Sequence, residues 1–321
     1  MQIVSETPQT FLVTGGAGFI GANYVGLLVE KNHKVKVLDK LTYAGNFENI
    51  KHLCASGKVD FIQGDICDPE IVSSSMRNVD VVVNFAAESH VDNSILKPSD
   101  FLRTNIIGTG VLLESSLNNN VKTFLQVSTD EVYGSISSGS WDENFKLEPS
   151  SPYSASKASA DLLALSYFKT HNLDVRITRC SNNYGPMQHP EKFIPKIIIN
   201  LLNNKKVPVF GDGTNIREWI YVEDHCHAIN KVLKFGESGE IYNIGSDFYL
   251  KNIDLVKILL DLLNLDEKLI DFVDDRKGHD LRYSLDSLKI RELGFECKTD
   301  FSKGILKTIE WYKKNPNYWT L

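Results

Sequence analysis

The stretch Thr10-Phe11-Leu12-Val13-Thr14-Gly15-Gly16-Ala17-Gly18-Phe19-Ile20-Gly21 decides the fold of this chain. Its first five residues are apolar or β-branched and predict a short buried strand. The glycines that follow predict a tight turn whose backbone N–H groups face an anion at the start of a helix. The helical pattern continues to Glu30, and a second strand is predicted from Lys34 to Leu38.

Asp39 ends the second strand, about 20 residues after the glycines. A carboxylate at this point accepts hydrogen bonds from the ribose hydroxyls of a bound adenine dinucleotide. Because the same charge repels a 2′-phosphate, the acid favours NAD over NADP. Glycines alone are also typical of an ordinary loop, but strand, glycines, helix, strand and acid in this order predict an NAD site.

The first half of the chain continues to alternate strands with helices. This alternation predicts an α/β fold built on a doubly wound parallel sheet, the Rossmann arrangement, with ligands bound beyond the carboxyl ends of the strands. The next predicted strands are residues 59–62, 79–85, 123–127 and 174–178, and the next predicted helices are 68–76, 98–118 and 153–171.

The alternation weakens past Arg179. We therefore assign residues 1–180 to a Rossmann domain and residues 181–321 mainly to a smaller mixed α/β lobe for a second ligand, with some later segments packing back on the first domain. The lobe has predicted helices over 193–203, 221–234, 252–263 and 301–314, and predicted short strands over 207–210 and 241–244.

Composition argues against several classes of partner. A net charge of −6 over 321 residues argues against nucleic acid or an anionic membrane as the main partner. No apolar run approaches the length of a membrane span, and the N-terminus shows no signal-peptide pattern. The five cysteines are scattered and form no Cys-x-x-Cys pair, which favours reduced thiols in the cytoplasm over a disulfide or metal framework.

Tyr153 and Lys157 lie four residues apart and share one face of a predicted helix. An unperturbed tyrosine titrates near ~10, too high for a base at neutral pH. The ammonium, together with the cation of a bound nicotinamide, is predicted to lower the pKa of Tyr153, so that it takes a proton from a sugar or alcohol hydroxyl. A solvated helix face is the plainer alternative, but the NAD pattern upstream favours the catalytic interpretation.

Ser128-Thr129-Asp130-Glu131-Val132-Tyr133-Gly134 follows a predicted buried strand. Thr129 is expected to hydrogen-bond the same substrate hydroxyl as Tyr153. The adjacent carboxyls of Asp130 and Glu131 repel each other, which predicts one protonated acid and one ionised base. Elimination of water beside a ketone needs that combination, although an Asp-Glu dipeptide is more commonly a pair of solvated loop acids.

These motifs resemble the extended short-chain dehydrogenase/reductase (NAD-dependent epimerase/dehydratase) family and, within it, the sugar-nucleotide 4,6-dehydratases. The resemblance covers about Thr10 to Trp311. The glycines and the Tyr/Lys pair mark the superfamily, whereas Thr129-Asp130-Glu131 marks the dehydratases, since related epimerases and decarboxylases typically lack the acid pair. The segments that carry it are Gly15-x-x-Gly18-x-x-Gly21 and residues 84–92, 128–134, 153–158, 179–186 and 275–280.

The resemblance implies a cycle in which bound NAD is restored. Tyr153, assisted by Thr129 and Lys157, would take the C4 hydroxyl proton as hydride leaves C4. Glu131 would then remove the C5 proton while Asp130 protonates the departing C6 hydroxyl, and hydride would return to C6. The implied NAD contacts are Gly15, Gly18, Phe19, Ile20, Gly21, Asp39, Lys40, Leu41, Thr42, Asp65, Ile66, Ala86, Ala87, Ser89, Thr104, Ser128, Tyr153, Lys157 and Asn183.

The resemblance also implies a nucleoside-diphosphate glucose as substrate. Arg217 and Arg276 suit its diphosphate, because guanidinium groups match phosphate oxygens, with surface salt bridges as the plainer alternative. Phe210 stands where relatives often carry tyrosine, so dTDP-glucose is expected and UDP-glucose stays open, since a pocket discriminates one methyl group only modestly. The implied substrate contacts are Ser89, Thr129, Asn182, Lys192, Phe193, Pro208, Val209, Phe210, Arg217, Asn252, Arg276 and His279.

Two other functions stay open at this point. A 4-epimerase or a 5-epimerizing dehydratase would use the same scaffold. A nucleotide-sensing protein without catalysis would keep the fold, but such proteins commonly lose the pair that Tyr153 and Lys157 form here. Relatives dimerise through the helices predicted over 98–118 and 153–171, so a homodimer is expected.

Overall fold

The computed structural model describes residues 7–275 and 280–319 of the chain. At its centre is a seven-stranded sheet in which every neighbouring pair of strands is parallel. The predicted doubly wound α/β fold is therefore confirmed. In spatial order the strands are Ile241–Ile244, Val175–Cys180, Thr123–Thr129, Val81–Asn84, Thr10–Thr14, Lys34–Asp39 and Val59–Gln63.

The strand order reverses between Thr10–Thr14 and Val81–Asn84, which lie side by side at the middle of the sheet. At their carboxyl ends the Thr14 hydroxyl donates a hydrogen bond of 2.6 Å to Asn84 Oδ1. The two loops that leave this point run to opposite sides and open a crevice between them. Ligands of open α/β sheets bind in that crevice.

Helices cover both faces of the sheet. On the first strand Phe11 and Val13 pack into one core and Leu12 into the other, because successive side chains of a strand point to opposite faces. Burial on both faces explains the nearly continuous apolar strands of the sequence. The helices of this domain are Phe19–Glu30, Lys51–Ala55, Pro69–Ser75, Val91–Leu96, Pro98–Phe101, Thr109–Asn118, Pro152–His171, Val222–Phe235 and Leu288–Glu292. None of the helices in the described ranges is long and apolar enough to cross a membrane.

The chain after residue 181 contributes to both parts of the molecule. Ile241–Ile244 extends the large sheet, and Val222–Phe235 packs against Phe19–Glu30. The remaining segments enclose a separate core. This second lobe holds the strands Asn182–Tyr184, Ile216–Tyr221 and Tyr249–Lys251 in one sheet, the strands Val207–Phe210 and Ile270–Val273 in another, and the helices Phe193–Leu202, Asn252–Leu263 and Phe301–Lys314.

The helix predicted over residues 98–118 is interrupted by a π-helical segment, Leu102–Gly108. Asn105 explains its position, because the side chain accepts a hydrogen bond from Glu88 N (2.9 Å) and donates one to Glu88 O (3.0 Å). The segment thus ties this helix to the loop after strand Val81–Asn84. π-Helical turns are frequent at functional sites. Another short helix, Val91–Leu96, was not predicted.

Candidate active site

A cavity of about 320 Å³ lies at the carboxyl edge of the large sheet, over the point where the strand order reverses. Its wall combines the glycine turn, the ends of five strands of the large sheet and the first residues of the second lobe. Most of the predicted site residues come together here: Gly15, Gly18, Phe19, Ile20, Gly21, Asp39, Lys40, Thr42, Asp65, Ile66, Ala86, Ala87, Ser89, Thr104, Ser128, Thr129, Asp130, Glu131, Tyr153, Lys157, Asn182, Asn183 and Lys192.

The glycine turn has no room for side chains. Gly15 has φ +67°, and a Cβ there would lie 2.7 Å from the backbone nitrogen of Ala86. At Gly21 a Cβ would lie 2.3 Å from Gly15 O, so this glycine lets the helix pack directly on the turn. The backbone therefore forms one wall of the cavity at the start of helix Phe19–Glu30. That is the geometry that a dinucleotide diphosphate requires.

The Asp39 carboxylate holds the turn from the neighbouring strand. Oδ2 accepts a hydrogen bond from Ala17 N at 3.0 Å, and Oδ1 accepts one from Leu41 N at 2.8 Å. Burial raises the pKa of Asp39, while these two backbone hydrogen bonds act in the opposite direction. Leu41 is absent from the cavity wall and contributes its backbone N–H to Asp39. These residues fit an adenine dinucleotide, with Asp39 beside the expected ribose.

The segment Asp130–Tyr133 forms a single 3₁₀ turn at the end of strand Thr123–Thr129, and we call it the acid turn. Thr129 caps it by accepting a hydrogen bond from Glu131 N (3.3 Å), and its hydroxyl donates to Asp130 Oδ1 at 3.1 Å. Asp130 is only 2% exposed. Burial, then the charges of Glu131 and Glu218, raise the pKa of Asp130 well above its usual value. The acid turn thus combines a buried carboxyl of raised pKa with Glu131, which is half-buried in the same cavity wall.

Tyr153 and Lys157 lie in the first two turns of helix Pro152–His171. Ser151 fixes the start of this helix through a capping box, in which its hydroxyl accepts from Ser154 N (3.1 Å) and Ser154 Oγ accepts from Ser151 N (3.0 Å). Both catalytic candidates are buried in the cavity wall. Lys157 Nζ donates a hydrogen bond of 2.6 Å to Val127 O.

The protein's own groups together raise the pKa of Tyr153. Burial raises it well above the usual value, and the charges of Glu131, Cys180 and Asp130 add to the increase, while the Thr129 hydroxyl opposes it. The prediction that Lys157 helps to lower this pKa is therefore not supported by the protein alone. The reason is geometric, because the ammonium bonds to the Val127 carbonyl and two carboxyls surround the phenol.

Several buried polar atoms of the cavity wall have no hydrogen-bond partner among the described residues. They are Asp130 Oδ2, Ser181 Oγ, Asn182 Oδ1 and Gln188 Oε1. An unpaired buried polar atom costs roughly 1–3 kcal/mol, so their grouping in one cavity indicates a polar ligand with several hydrogen-bonding groups. Ser181 and Gln188 were not predicted. The position of Ser181 directly after a strand of the large sheet was the signal that could have identified it.

The predicted substrate residues divide into two groups. Ser89, Asn182 and Lys192 line the cavity, and Lys192 Nζ donates to Ser89 O at 3.0 Å across the crevice. The structure places the others farther along the second lobe, outside this cavity wall: Phe193, Pro208, Val209, Phe210, Arg217 and Asn252. The side chain of Val209 is buried in the core of that lobe. Arg276 and His279 lie outside the described residues.

Arg217 is buried in the second lobe and close enough to affect the acid turn. Its guanidinium donates hydrogen bonds to Ile216 O (2.8 Å) and Asp280 O (2.9 Å), and its Cζ lies 4.4 Å from the centre of the Tyr283 ring. Its charge lowers the pKa of Asp130 and so opposes the effect of burial there. Arg217 is thus not a surface ion pair.

The fold and this cavity define a dinucleotide-dependent enzyme of the extended short-chain dehydrogenase/reductase class. The chain belongs to the family described as GDP-mannose 4,6 dehydratase, whose model matches residues 12–308. It is 52% identical over 319 residues to a dTDP-glucose 4,6-dehydratase of Streptomyces antibioticus, covering 97% of this chain and 94% of the relative.

Solved structures give the same likeness. DesIV, a dTDP-glucose 4,6-dehydratase of Streptomyces venezuelae crystallised with NAD bound, is 51% identical with a TM-score of 0.95, covering 97% of this chain and 99% of DesIV. A UDP-glucose 4-epimerase of Thermotoga maritima has a TM-score of 0.90 at 31% identity, covering 96% and 99%. The fold alone therefore fits both activities, and the side chains of the site must separate them.

Proposed function

We propose that this protein is an NAD-dependent dTDP-glucose 4,6-dehydratase, which converts its substrate to the 4-keto-6-deoxy sugar. The observation that carries the proposal is the acid turn. It places a buried Asp130, whose pKa is raised well above its usual value, beside Glu131, in the cavity wall that also holds Tyr153. An oxidation at C4 needs neither carboxyl, whereas a loss of water needs both an acid and a base.

The first half of the reaction belongs to Tyr153, Thr129 and Lys157. The Tyr153 oxygen takes the proton of the C4 hydroxyl, and the Thr129 hydroxyl aligns that group. Lys157 lies one turn after Tyr153 in the same cavity wall, and its ammonium would favour the phenolate form together with the positive ring of a bound nicotinamide. NAD, when bound, supplies the chemistry that these side chains lack by accepting the hydride from C4 and returning it at C6.

The second half belongs to the acid turn. A ketone at C4 acidifies the C5 proton, and the Glu131 carboxylate removes it. Asp130 gives its proton to the departing C6 hydroxyl, which leaves as water. The two roles match the two environments, since a carboxyl whose pKa is raised by burial suits the role of acid and its less buried partner suits the role of base.

The residues for NAD are those of the glycine turn and the strand ends. The backbone of Gly15 to Gly21 would hold the diphosphate, and Asp39 would hold the adenosine ribose and repel a 2′-phosphate. Lys40 and Asp65, which also line the cavity, form an ion pair of 2.9 Å. Ser181 and Gln188 join the predicted set, because their unpaired oxygens lie in the same wall.

Product analysis tests this function. Purified protein is incubated without added reductant with an equal mixture of dTDP-glucose and UDP-glucose, and the sugars are followed by mass spectrometry and NMR. We expect a 4-keto-6-deoxy product, one water lighter than its substrate, formed faster from dTDP-glucose. A C4 epimer of unchanged mass would instead show that the protein is an epimerase. Faster conversion of UDP-glucose would show that the preferred nucleobase is uracil.

We also propose a homodimer. Apolar side chains stay exposed on helix Pro152–His171 and on two segments that pack against it, Val91–Leu96 and Leu102–Gly108. Light scattering at working concentration should give twice the chain mass, and a monomer mass would contradict the proposal. The exposed residues are Ile95, Leu96, Leu102, Ile107 and Leu162.

A cytoplasmic location stays a prediction. The five cysteines form no disulfide in the described structure, which is typical of proteins in a reducing compartment. Fractionation of the producing cells would test it.

A further inference from the structure

A buried ion pair lies between the catalytic helix and the large sheet, outside the cavity wall. Asp161 on helix Pro152–His171 accepts a hydrogen bond from Arg179 Nε at 3.0 Å, and the two side chains are 0% and 3% exposed. The Ser128 hydroxyl donates to the same carboxylate oxygen at 3.0 Å. The pair thus joins the helix to the ends of two central strands.

Fold stability alone does not explain this pair. The cost of removing two charges from water roughly cancels their attraction, so an apolar pair of similar size is often equally or more stable. In addition, Asp161 Oδ1 is buried and has no hydrogen-bond partner among the described residues. A carboxylate placed here at such cost indicates that its charge acts on a neighbour.

That neighbour is Lys157, one helical turn before Asp161 and on the same face of the helix. Burial lowers the pKa of Lys157, and the charge of Asp161 is the largest influence that opposes it. The other charged or titratable groups around Lys157 are Tyr153 on its own helix, Cys180 and Arg179 on the strand beneath, and Asp130 and Glu131 on the acid turn.

The Arg179 side of the pair reaches the acid turn. Arg179 Nη1 donates to the Tyr133 hydroxyl at 2.8 Å, and Tyr133 in turn donates to Asn243 Oδ1 at 2.8 Å. Tyr133 is the last residue of the acid turn, and Asn243 belongs to the edge strand Ile241–Ile244. The carboxylate of Asp161 is therefore held by Ser128 and Arg179 on two neighbouring strands, and Arg179 is in turn bonded to the acid turn.

We propose that Asp161, anchored by Arg179, is a positioning residue that keeps Lys157 charged and in place for the proton transfer at Tyr153. This role rests on the proposed function. It adds a charge that acts through Lys157 and does not touch the substrate. Arg179 and Tyr133 fix the geometry of that charge relative to the acid turn.

The test is the pH profile of kcat for the variant Asp161→Asn. A nearby opposite charge moves a pKa by roughly 1 to 3 pH units. We therefore expect the alkaline limb of the profile, where Lys157 loses its proton, to move to lower pH by about one pH unit or more. The KM for the nucleotide sugar should change less than twofold, because Asp161 lies behind the cavity.

Asp174→Asn is the matched control. Asp174 also pairs with an arginine (Arg176 Nη2, 2.9 Å) and accepts a hydroxyl hydrogen bond (Thr123 Oγ1, 2.9 Å), but at the opposite ends of the same two strands. We expect it to leave the position of the alkaline limb unchanged. Tyr133→Phe is the second comparison, because it removes the hydroxyl that Arg179 binds without removing a charge. It should lower kcat without changing the pH of the alkaline limb.

Removal of Asp161 alone leaves a buried arginine unpaired and can prevent folding. The double variant Asp161→Asn/Arg179→Gln removes both charges and leaves neither buried and unpaired, so it keeps the experiment decisive. Its alkaline limb is expected to move in the same direction by a smaller amount, because loss of the Arg179 charge acts the opposite way on Lys157. If a folded variant has the alkaline limb of its kcat profile at the same pH as the wild type, the proposal is wrong. The wild-type product separates the two claims, because a wild type that makes no 4-keto-6-deoxy sugar overturns the proposed function instead.

Discussion

Replacement of Asp130 by asparagine separates the two halves of the reaction. The amide keeps the size of the carboxyl and its hydrogen-bond acceptor for Thr129, but it has no proton to give to a leaving hydroxyl. Tyr153, Thr129 and Lys157 are untouched. We therefore expect oxidation at C4 and proton exchange at C5 to continue while water loss nearly stops.

The magnitude follows from the role of the lost proton. General acid catalysis contributes about 10²- to 10⁴-fold, which corresponds to about 3 to 5 kcal/mol of barrier. The expected loss in the rate of product formation lies in that range. The rate of C4 oxidation should fall by less than tenfold, because Asp130 takes no part in removing the C4 hydroxyl proton in the proposed mechanism.

The stability of the same variant has a predictable sign. The pKa of Asp130 in the folded protein is raised well above its ordinary value of 3.8, mainly by burial. Between these two pKa values the folded state binds more protons than the unfolded state, so rising pH removes stability from the wild type. The asparagine side chain of the variant does not titrate. The free energy of unfolding of Asp130→Asn relative to wild type should therefore increase as the pH rises above about 4.

The assay is incubation of each variant with dTDP-glucose in deuterated water. For Asp130→Asn we expect the 4-keto sugar that still carries its C6 hydroxyl, with deuterium at C5. Little of the 4-keto-6-deoxy product should form. Asp142→Asn, the same change at an exposed position shortly after the acid turn, is the control and should behave as wild type. If Asp130→Asn and Glu131→Gln combined in one chain leave turnover unchanged, the acid turn has no part in the chemistry.

Three further changes test the rest of the site. Tyr153→Phe should reduce C4 oxidation by about 10²- to 10⁴-fold while NAD affinity, measured by calorimetry, stays within a few-fold. Asp39→Asn should reduce the preference for NAD over NADP, measured as the ratio of the two dissociation constants. An unchanged ratio would show that Asp39 does not determine this preference. Gly21→Ala should lower the melting temperature and NAD affinity, because its Cβ would lie 2.3 Å from Gly15 O. Gly26→Ala on the same helix has open space around the Cβ and should instead stabilise by roughly 0.5–1 kcal/mol.

The elements that local pattern determines were predictable. Strand Thr10–Thr14 and helix Phe19–Glu30 begin and end at the predicted residues, because apolar periodicity, glycines and an acid define them within a few positions. The gathering of Asp130, Glu131 and Tyr153 in one cavity was also predictable. Parallel strands end at the same edge of a sheet, so residues that follow them meet there.

Long-range pairing was not predictable. Strand Ile241–Ile244 was recognised as a strand, but its place beside Val175–Cys180 depends on a distant partner that no local pattern specifies. The π-helical segment Leu102–Gly108 shares the periodicity of the helix around it, and only the hydrogen bonds of Asn105 to the Glu88 backbone explain it.

The electrostatics of the site needed the folded structure. The pKa of Tyr153 depends on its burial and on the distance to two carboxyls, neither of which the spacing of Tyr153 and Lys157 contains. The anchor from Asp161 through Arg179 to Tyr133 joins three separate segments. Each of these residues looks ordinary in the sequence.

The fate of the hydrogen on C4 tests the central claim most directly. dTDP-glucose labelled with deuterium at C4 is converted by the wild-type protein without added reductant, and the product is examined by NMR. The proposed reaction predicts that the deuterium appears in the C6 methyl group of a 4-keto-6-deoxy sugar. Deuterium lost to solvent, or retained at C4 of an epimer, would contradict it.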